Sequence, residues 1–110
     1  MAENAIDNII AFFRNKLAGN GLNIAKIVLF GSHANGRAGD KSDLDLVIVS
    51  DDFQGKNIFE RVALIGDARA AVVQTFRIPV DILLMTPDEL ENEISPAAEE
   101  CRSGIVVYAA

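Results

Sequence analysis

The sequence predicts a small α/β (α+β) domain in which one mixed β-sheet of about four strands is flanked by helices. Two observations predict this class: short apolar runs alternate with longer segments of helical periodicity, and glycine or proline marks the boundaries between them. Half of the 110 residues are apolar, which suits one hydrophobic core and is too apolar for a disordered chain. We therefore expect a single domain over residues 1–110.

The first half of the chain contains one predicted helix and two predicted strands. Apolar residues recur at helical spacing over residues 3–18, and glycines follow at the end of this segment. An apolar run over residues 24–30 predicts a buried strand, and the polar, glycine-containing residues 31–41 predict a loop with one helical turn. Residues 44–49 end in aliphatic side chains and predict a second buried strand.

The second half continues the alternation of helices and strands. Helical spacing extends across Gly66, a local weak point, and Thr86 with Glu89 forms the pattern of a capping box at a helix start. The predicted elements are a helix over residues 57–76, a strand over 80–85, a helix from 87, a helix over 96–102 and a strand over 105–108.

Composition and charge exclude several classes of protein. The lone Cys101 excludes a disulfide framework and is expected to face the core, and no apolar stretch approaches the ~20 residues that cross a bilayer. The first residues include Glu3 and Asp7 instead of the basic region of a secretion signal, so we expect a cytoplasmic protein without a membrane partner. A formal net charge of −6 disfavours long nucleic acids. Seven acids and no base lie between Arg77 and Arg102, either as a solvated face or as a surface for a basic partner.

One stretch carries the pattern of an active site. Gly31 and Ser32 directly follow a predicted strand, and Asp43 and Asp45 stand at the start of the next one. Residues i and i+2 of a strand point to the same side, so these two carboxylates project together and repel each other unless a cation lies between them. Mg²⁺ prefers such oxygens and also binds phosphates. Asp81, within the third strand, reaches the same ions if the second and third strands are neighbours, which would make a two-metal site.

The Gly-Ser pair suits the phosphate half of such a site. Gly31 permits close approach of the backbone to a phosphate, and the Ser32 hydroxyl can donate a further hydrogen bond. Other nucleotide and cation motifs do not match: the chain lacks the Walker phosphate loop, the dinucleotide fingerprint and the calcium-binding loop.

Taken together, these residues resemble the nucleotidyltransferase superfamily related to DNA polymerase beta, and most closely its small stand-alone members, the minimal nucleotidyltransferases. The resemblance rests on Phe30-Gly31-Ser32, on Asp43-Leu44-Asp45-Leu46 about ten residues later, and on Asp81. It implies Mg²⁺-dependent transfer of a nucleoside monophosphate, AMP from ATP for example, to a hydroxyl acceptor. By that likeness Asp43 and Asp45 bind two metal ions, Asp81 binds the catalytic ion and helps to deprotonate the acceptor, and Gly31 and Ser32 bind the phosphates.

The loop departs from the family's common G-S-R-A-R-G pattern. His33 and Asn35 replace the two arginines, so we expect Arg37 and Lys41 to supply positive charge to the nucleotide and His33 to be solvent-exposed.

The resemblance also implies a partner, because many minimal members resemble antitoxins that act on helical proteins of the HEPN type. Only 25 residues follow the third predicted strand, so we expect the acceptor to come from a HEPN-type protein or a second copy of this chain. The alternative is an antitoxin or regulatory subunit of weak or no activity that acts by protein binding.

Overall fold

The computed structural model of the chain describes residues 3–36, 38–39 and 42–110. Its centre is a four-stranded sheet in the order β3-β2-β1-β4. Strand β1 is antiparallel to both β2 and β4, whereas β2 and β3 are parallel, so the predicted mixed sheet is confirmed. The strands are β1 (Lys26–Phe30), β2 (Leu44–Val49), β3 (Val80–Met85) and β4 (Ile105–Ala109).

Within the described residues, five helices and two single 3-10 turns accompany these strands; the first helix precedes β1, and the others lie between strands. None of these helices combines the length and apolarity needed to cross a membrane. The helices are α1 (Glu3–Gly19), α2 (Ile58–Ile65), α3 (Ala68–Phe76), α4 (Pro87–Asn92) and α5 (Pro96–Arg102), and the turns span Gly31–His33 and Asp51–Phe53. The turn at Gly31–His33 matches the single helical turn expected in that loop.

The single helix predicted over residues 57–76 is wrong, because the chain breaks at Gly66 into α2 and α3. At the break, the Asn20 side-chain amide donates to the carbonyl oxygen of Ile65 at 2.9 Å. A polar group at the end of α2 is thus paired by a residue from the turn after α1, which removes much of the cost of interrupting the helix.

The two faces of the sheet carry separate clusters of buried side chains. Leu44, Leu46 and Ile48 of β2 pack on the face covered by α1 and α3. Val47 and Val49, which alternate with them, pack on the opposite face beneath α4 and α5. This alternation places β2 between two apolar layers and determines to which face each of its residues points.

Arg61 ties α2 to the neighbouring elements. Its guanidinium forms an ion pair with Glu89 at 2.6 Å and also donates to the carbonyl oxygen of Leu84 at 3.1 Å. Glu89 completes the predicted capping box of α4 with Thr86. The hydrogen bond from Arg61 lowers the pKa of the Glu89 carboxyl, because it stabilises the charged form.

Candidate active site

The parallel pair of β2 and β3 brings two of the predicted metal ligands side by side. Asp45 lies directly opposite Asp81 in the register of these strands, so both side chains point to the same face of the sheet. They continue the rows that form the buried layer under α4 and α5, at the end of the sheet where both strands begin. Asp43 precedes Asp45 by two residues and is exposed, as is Asp81, whereas Asp45 is half-buried.

Gly31 lies next to Asp45 on the side away from Asp81, because β1 and β3 are the two neighbours of β2. Strand β1 ends at Phe30, which pairs with Asp45, so the chain turns next to the Asp45 side chain. Gly31 adopts a φ of 72°, and a Cβ atom at this position would collide with the Asp45 carboxylate. Glycine therefore satisfies two requirements here, a left-handed backbone and contact with a carboxylate, which explains the glycine found by sequence reasoning.

Electrostatics couple the three carboxylates. Burial is the largest cause of a raised pKa at Asp45, because it disfavours the charged form. The nearby negative charges of Asp81 and Asp43 raise the pKa of Asp45 further, and Glu100 acts in the same direction. His33 lowers it. The site therefore disfavours the ionised form of Asp45 in the absence of a cation.

The loop between Gly31 and Asp43 is closed by a side chain. His33 is half-buried, contrary to the expectation of an exposed residue, and its Nε2 lies 3.1 Å from the carbonyl oxygen of Ser42. The predicted nucleotide-binding residues Arg37 and Lys41 lie outside the described residues. Ser32, in the turn after Gly31, is half-buried beside the carboxylates' end of the sheet.

A cleft of about 150 Å³ opens beside Gly31, between the loop and α5. Sequence reasoning missed Glu100, which lines this cleft and interacts with Asp45, because in the sequence it is one of seven acids in a polar segment. The cleft is lined by Phe30, Gly31, Ala34, Asn35, Glu100, Ser103 and Gly104. By contrast, Cys101 points into the core as expected, and burial raises the pKa of its thiol to about 11, so the thiol is inert at neutral pH.

The donors at this end of the sheet suit a hard divalent cation. Carboxylate oxygens are the ligands that Mg²⁺ prefers. Burial is the largest cause of the raised pKa of Asp45, and the neighbouring charges of Asp81 and Asp43, which a cation would offset, raise it further. Within residues 3–36, 38–39 and 42–110, no three His, Cys, Asp or Glu side chains converge closely enough to hold a metal ion as they stand. Binding would therefore require the aspartates to rotate toward a common point.

Comparison with known proteins identifies the family of this chain. The family model for the nucleotidyltransferase domain matches residues 6–104. The chain belongs to the nucleotidyltransferase domain family. The match includes both 3-10 turns, strands β1, β2 and β3, and every carboxylate discussed above, and it ends just before β4. The chain has no significant sequence match among curated proteins.

Solved structures confirm the nucleotidyltransferase fold. A provisionally assigned nucleotidyltransferase from Sulfolobus solfataricus is 19% identical, with a TM-score of 0.62 over 99% of this chain and 90% of that one. A structure described as a toxin-antitoxin with AMP-PNP is 18% identical, with a TM-score of 0.65 over 94% of this chain and 73% of that one. At these identities the two neighbours establish the fold of this chain, and its chemistry has to be argued from its own residues.

Proposed function

We propose that this nucleotidyltransferase domain transfers a nucleoside monophosphate, AMP from ATP in the first instance, to a hydroxyl acceptor in a Mg²⁺-dependent reaction. The observation that carries the proposal is the register of Asp45 with Asp81, directly against the glycine turn at Gly31. This register joins a group of carboxylates to a close-packed backbone turn, which are the two halves that a metal-bound triphosphate requires.

The turn is the phosphate half of the proposed site. The backbone amides after Gly31 and the Ser32 hydroxyl are hydrogen-bond donors with which a triphosphate can interact. Because Gly31 has no side chain, the Asp45 carboxylate can lie directly against this turn, which brings the metal half and the phosphate half of the proposed site together. Arg37 and Lys41 are proposed to add positive charge from the same loop.

The aspartates are the metal half. Asp43, Asp45 and Asp81 would hold two Mg²⁺ ions, which supply charge neutralisation for the triphosphate and a lowered pKa for the acceptor hydroxyl. Asp81 is the exposed member of the directly paired aspartates, and we assign it the additional role of accepting the acceptor's proton.

The proposed transfer exchanges one phosphorus–oxygen bond for another. The acceptor oxygen forms a bond to the α-phosphorus while the bond from that phosphorus to the bridging oxygen of the β-phosphate breaks. The hydroxyl proton passes to Asp81, and the electron pair of the broken bond leaves with pyrophosphate. The cleft beside Gly31, with the polar side chains of Glu100 and Ser103, is open for part of the nucleotide or acceptor.

Calorimetric titration with Mg·ATP tests this proposal. We expect binding by the wild-type chain and its loss in the double variant Asp43→Asn/Asp45→Asn. The matched control is Asp7→Asn/Asp67→Asn, which removes the same charge from two exposed aspartates on other elements and should bind normally. Absence of binding by the wild-type chain, or equal binding by both double variants, would contradict the proposal.

A second function, binding of a protein partner, is favoured by the apolar side chains exposed on the surface. On α2 the side chains of Ile58, Phe59 and Val62 are exposed, and that of Phe59 is 82% accessible. On the edge strand β4, Ile105 and Val106 are also exposed. We infer an antitoxin or regulatory role in which a HEPN-type helical protein or a second copy of the chain covers one of these surfaces, with or without catalysis.

Two matched substitutions distinguish these surfaces. Val62 on α2 and Val106 on β4 are 49% and 52% accessible, so Val62→Lys and Val106→Lys introduce the same charge at similar exposure. Multi-angle light scattering of the wild-type chain, alone and mixed with a purified HEPN-type protein, gives the mass of any complex. One lysine should abolish the complex and the other should leave it intact. A monomer under both conditions would refute the binding role.

A further inference from the structure

The only histidine of the sequence connects the two halves of the proposed site. His33 ends the 3-10 turn that begins at Gly31, and its Nε2 is 3.1 Å from the Ser42 carbonyl oxygen, across the loop. A carbonyl oxygen only accepts hydrogen bonds, so the Nε2 atom must carry the proton. The imidazole is therefore held in one orientation, with Nε2–H toward the residue that immediately precedes Asp43.

Ser42 is fixed from more than one side. Its backbone N–H donates to the carbonyl oxygen of Gly39 at 3.1 Å, and its hydroxyl accepts from the N–H of Gly39 at 2.9 Å. These contacts define a local turn but do not connect it to β1. The hydrogen bond from His33 makes that connection, because it joins the turn to the chain just after Gly31 and Ser32.

We propose that His33 is a positioning residue, whose hydrogen bond to Ser42 sets the backbone of Asp43 relative to the Gly31–Ser32 turn. This inference rests on the proposed function, since it assigns His33 an effect on metal and nucleotide binding through Ser42 and Asp43. The side chain acts as a hydrogen-bond donor across the loop, so the donor geometry is the property that matters. Loss of the donor removes the hydrogen bond that joins Ser42 to the Gly31–His33 turn.

The hydrogen bond can be tested in the metal-free chain by NMR of ¹⁵N-labelled histidine. Because the sequence has one histidine, its ring nitrogens give an unambiguous pair of signals. We expect the neutral ring to be confined to the Nε2–H tautomer, with a resolved and slowly exchanging Nε2-bound proton. A mixture of tautomers with rapid proton exchange would overturn the proposal.

The positioning role is tested by titration with Mn²⁺ alone, with free Mn²⁺ read by electron paramagnetic resonance. His33→Ala removes the donor. We expect Mn²⁺ affinity to fall about tenfold, which is the lower end of the range for loss of a hydrogen bond that supports a metal ligand. His33→Gln retains a side-chain N–H group at a similar reach, and we expect affinity within about twofold of wild type. Thermal unfolding of each variant confirms that it is folded.

The outcomes separate the two proposals. If the wild-type chain binds no Mn²⁺, the proposed function fails, while the NMR measurement still decides whether the hydrogen bond exists. If the wild-type chain binds Mn²⁺ and His33→Ala binds it equally well, the positioning role fails and the proposed function stands. If His33→Gln is as weak as His33→Ala, donor geometry is not the cause, and the positioning role is likewise overturned.

Discussion

Replacement of Gly31 by alanine should damage metal binding more than it damages the fold. An alanine in the left-handed region costs roughly 1–2 kcal/mol, and about 0.4–1 kcal/mol of this is offset by the reduced entropy of the unfolded chain. At Gly31 the new methyl group also displaces the Asp45 carboxylate, and a side chain forced from its rotamer costs about 0.5–1.5 kcal/mol more. We therefore expect a total destabilisation of about 2 kcal/mol.

Gly55→Ala is the matched control, because Gly55 has a nearly identical φ of 74° and no atom within 4 Å of an added Cβ. It should lose only about 1 kcal/mol. With about 4 °C per kcal/mol, the melting temperature should fall by about 8 °C for Gly31→Ala and about 4 °C for Gly55→Ala. Only Gly31→Ala should weaken Mn²⁺ binding, by about tenfold or more, since 1.4 kcal/mol corresponds to tenfold. Unchanged Mn²⁺ affinity in Gly31→Ala would refute the reasoning.

Three further substitutions test other parts of the structure. Arg61→Ala breaks the ion pair with Glu89 and should cost about 2–3 kcal/mol in urea unfolding at pH 7. Because the pKa of Glu89 is lowered from its ordinary value of 4.5, its ionised carboxyl stabilises the wild-type fold above pH 4.5, and this contribution is lost as pH falls through the lowered pKa. The loss should be smaller in Arg61→Ala, in which only the hydrogen bonds to Thr86 still lower the pKa of Glu89. Asp45→Asn should raise the melting temperature of the metal-free chain at pH 7, because a raised pKa means that the ionised Asp45 carboxylate destabilises the fold at that pH. The control Asp67→Asn should leave the melting temperature unchanged. A lower melting temperature in Asp45→Asn would contradict this account. Gly104→Ala should lower the free energy of unfolding by about 1–3 kcal/mol, since the added Cβ would collide with a backbone carbonyl of β1. Wild-type stability of this variant in calorimetry would show that the backbone moves to make room for the methyl group.

Local patterns were sufficient for much of the fold. The predicted strands over residues 44–49 and 80–85 coincide with β2 and β3, because short aliphatic runs between polar or proline boundaries, each interrupted by one aspartate, have few alternatives. The start of α4 was equally clear, since the Thr86–Glu89 capping box is a contact between near neighbours in sequence.

The errors and omissions concern contacts between distant parts of the sequence. The break at Gly66 depends on Asn20, 45 residues before the Ile65 carbonyl that it pairs, and the helical periodicity continues across it. The register of Asp45 with Asp81 depends on which strands become neighbours, and local pattern left that condition open. Glu100 resembles a solvated acid until α5 is placed against β1. The roles of the site residues themselves stay predictions.

The alternation of apolar rows on β2 and β3 also disfavours wrong registers between these strands during folding. A slip of one residue between these strands would turn Asp81 toward the layer under α1 and would move Val80 and Ile82 out of that layer to the opposite face. The aliphatic side chains make that slip costly, so their burial fixes the register that places Asp45 opposite Asp81. A substitution deep in either apolar layer should therefore weaken the proposed ion binding in a chain that keeps every acidic residue.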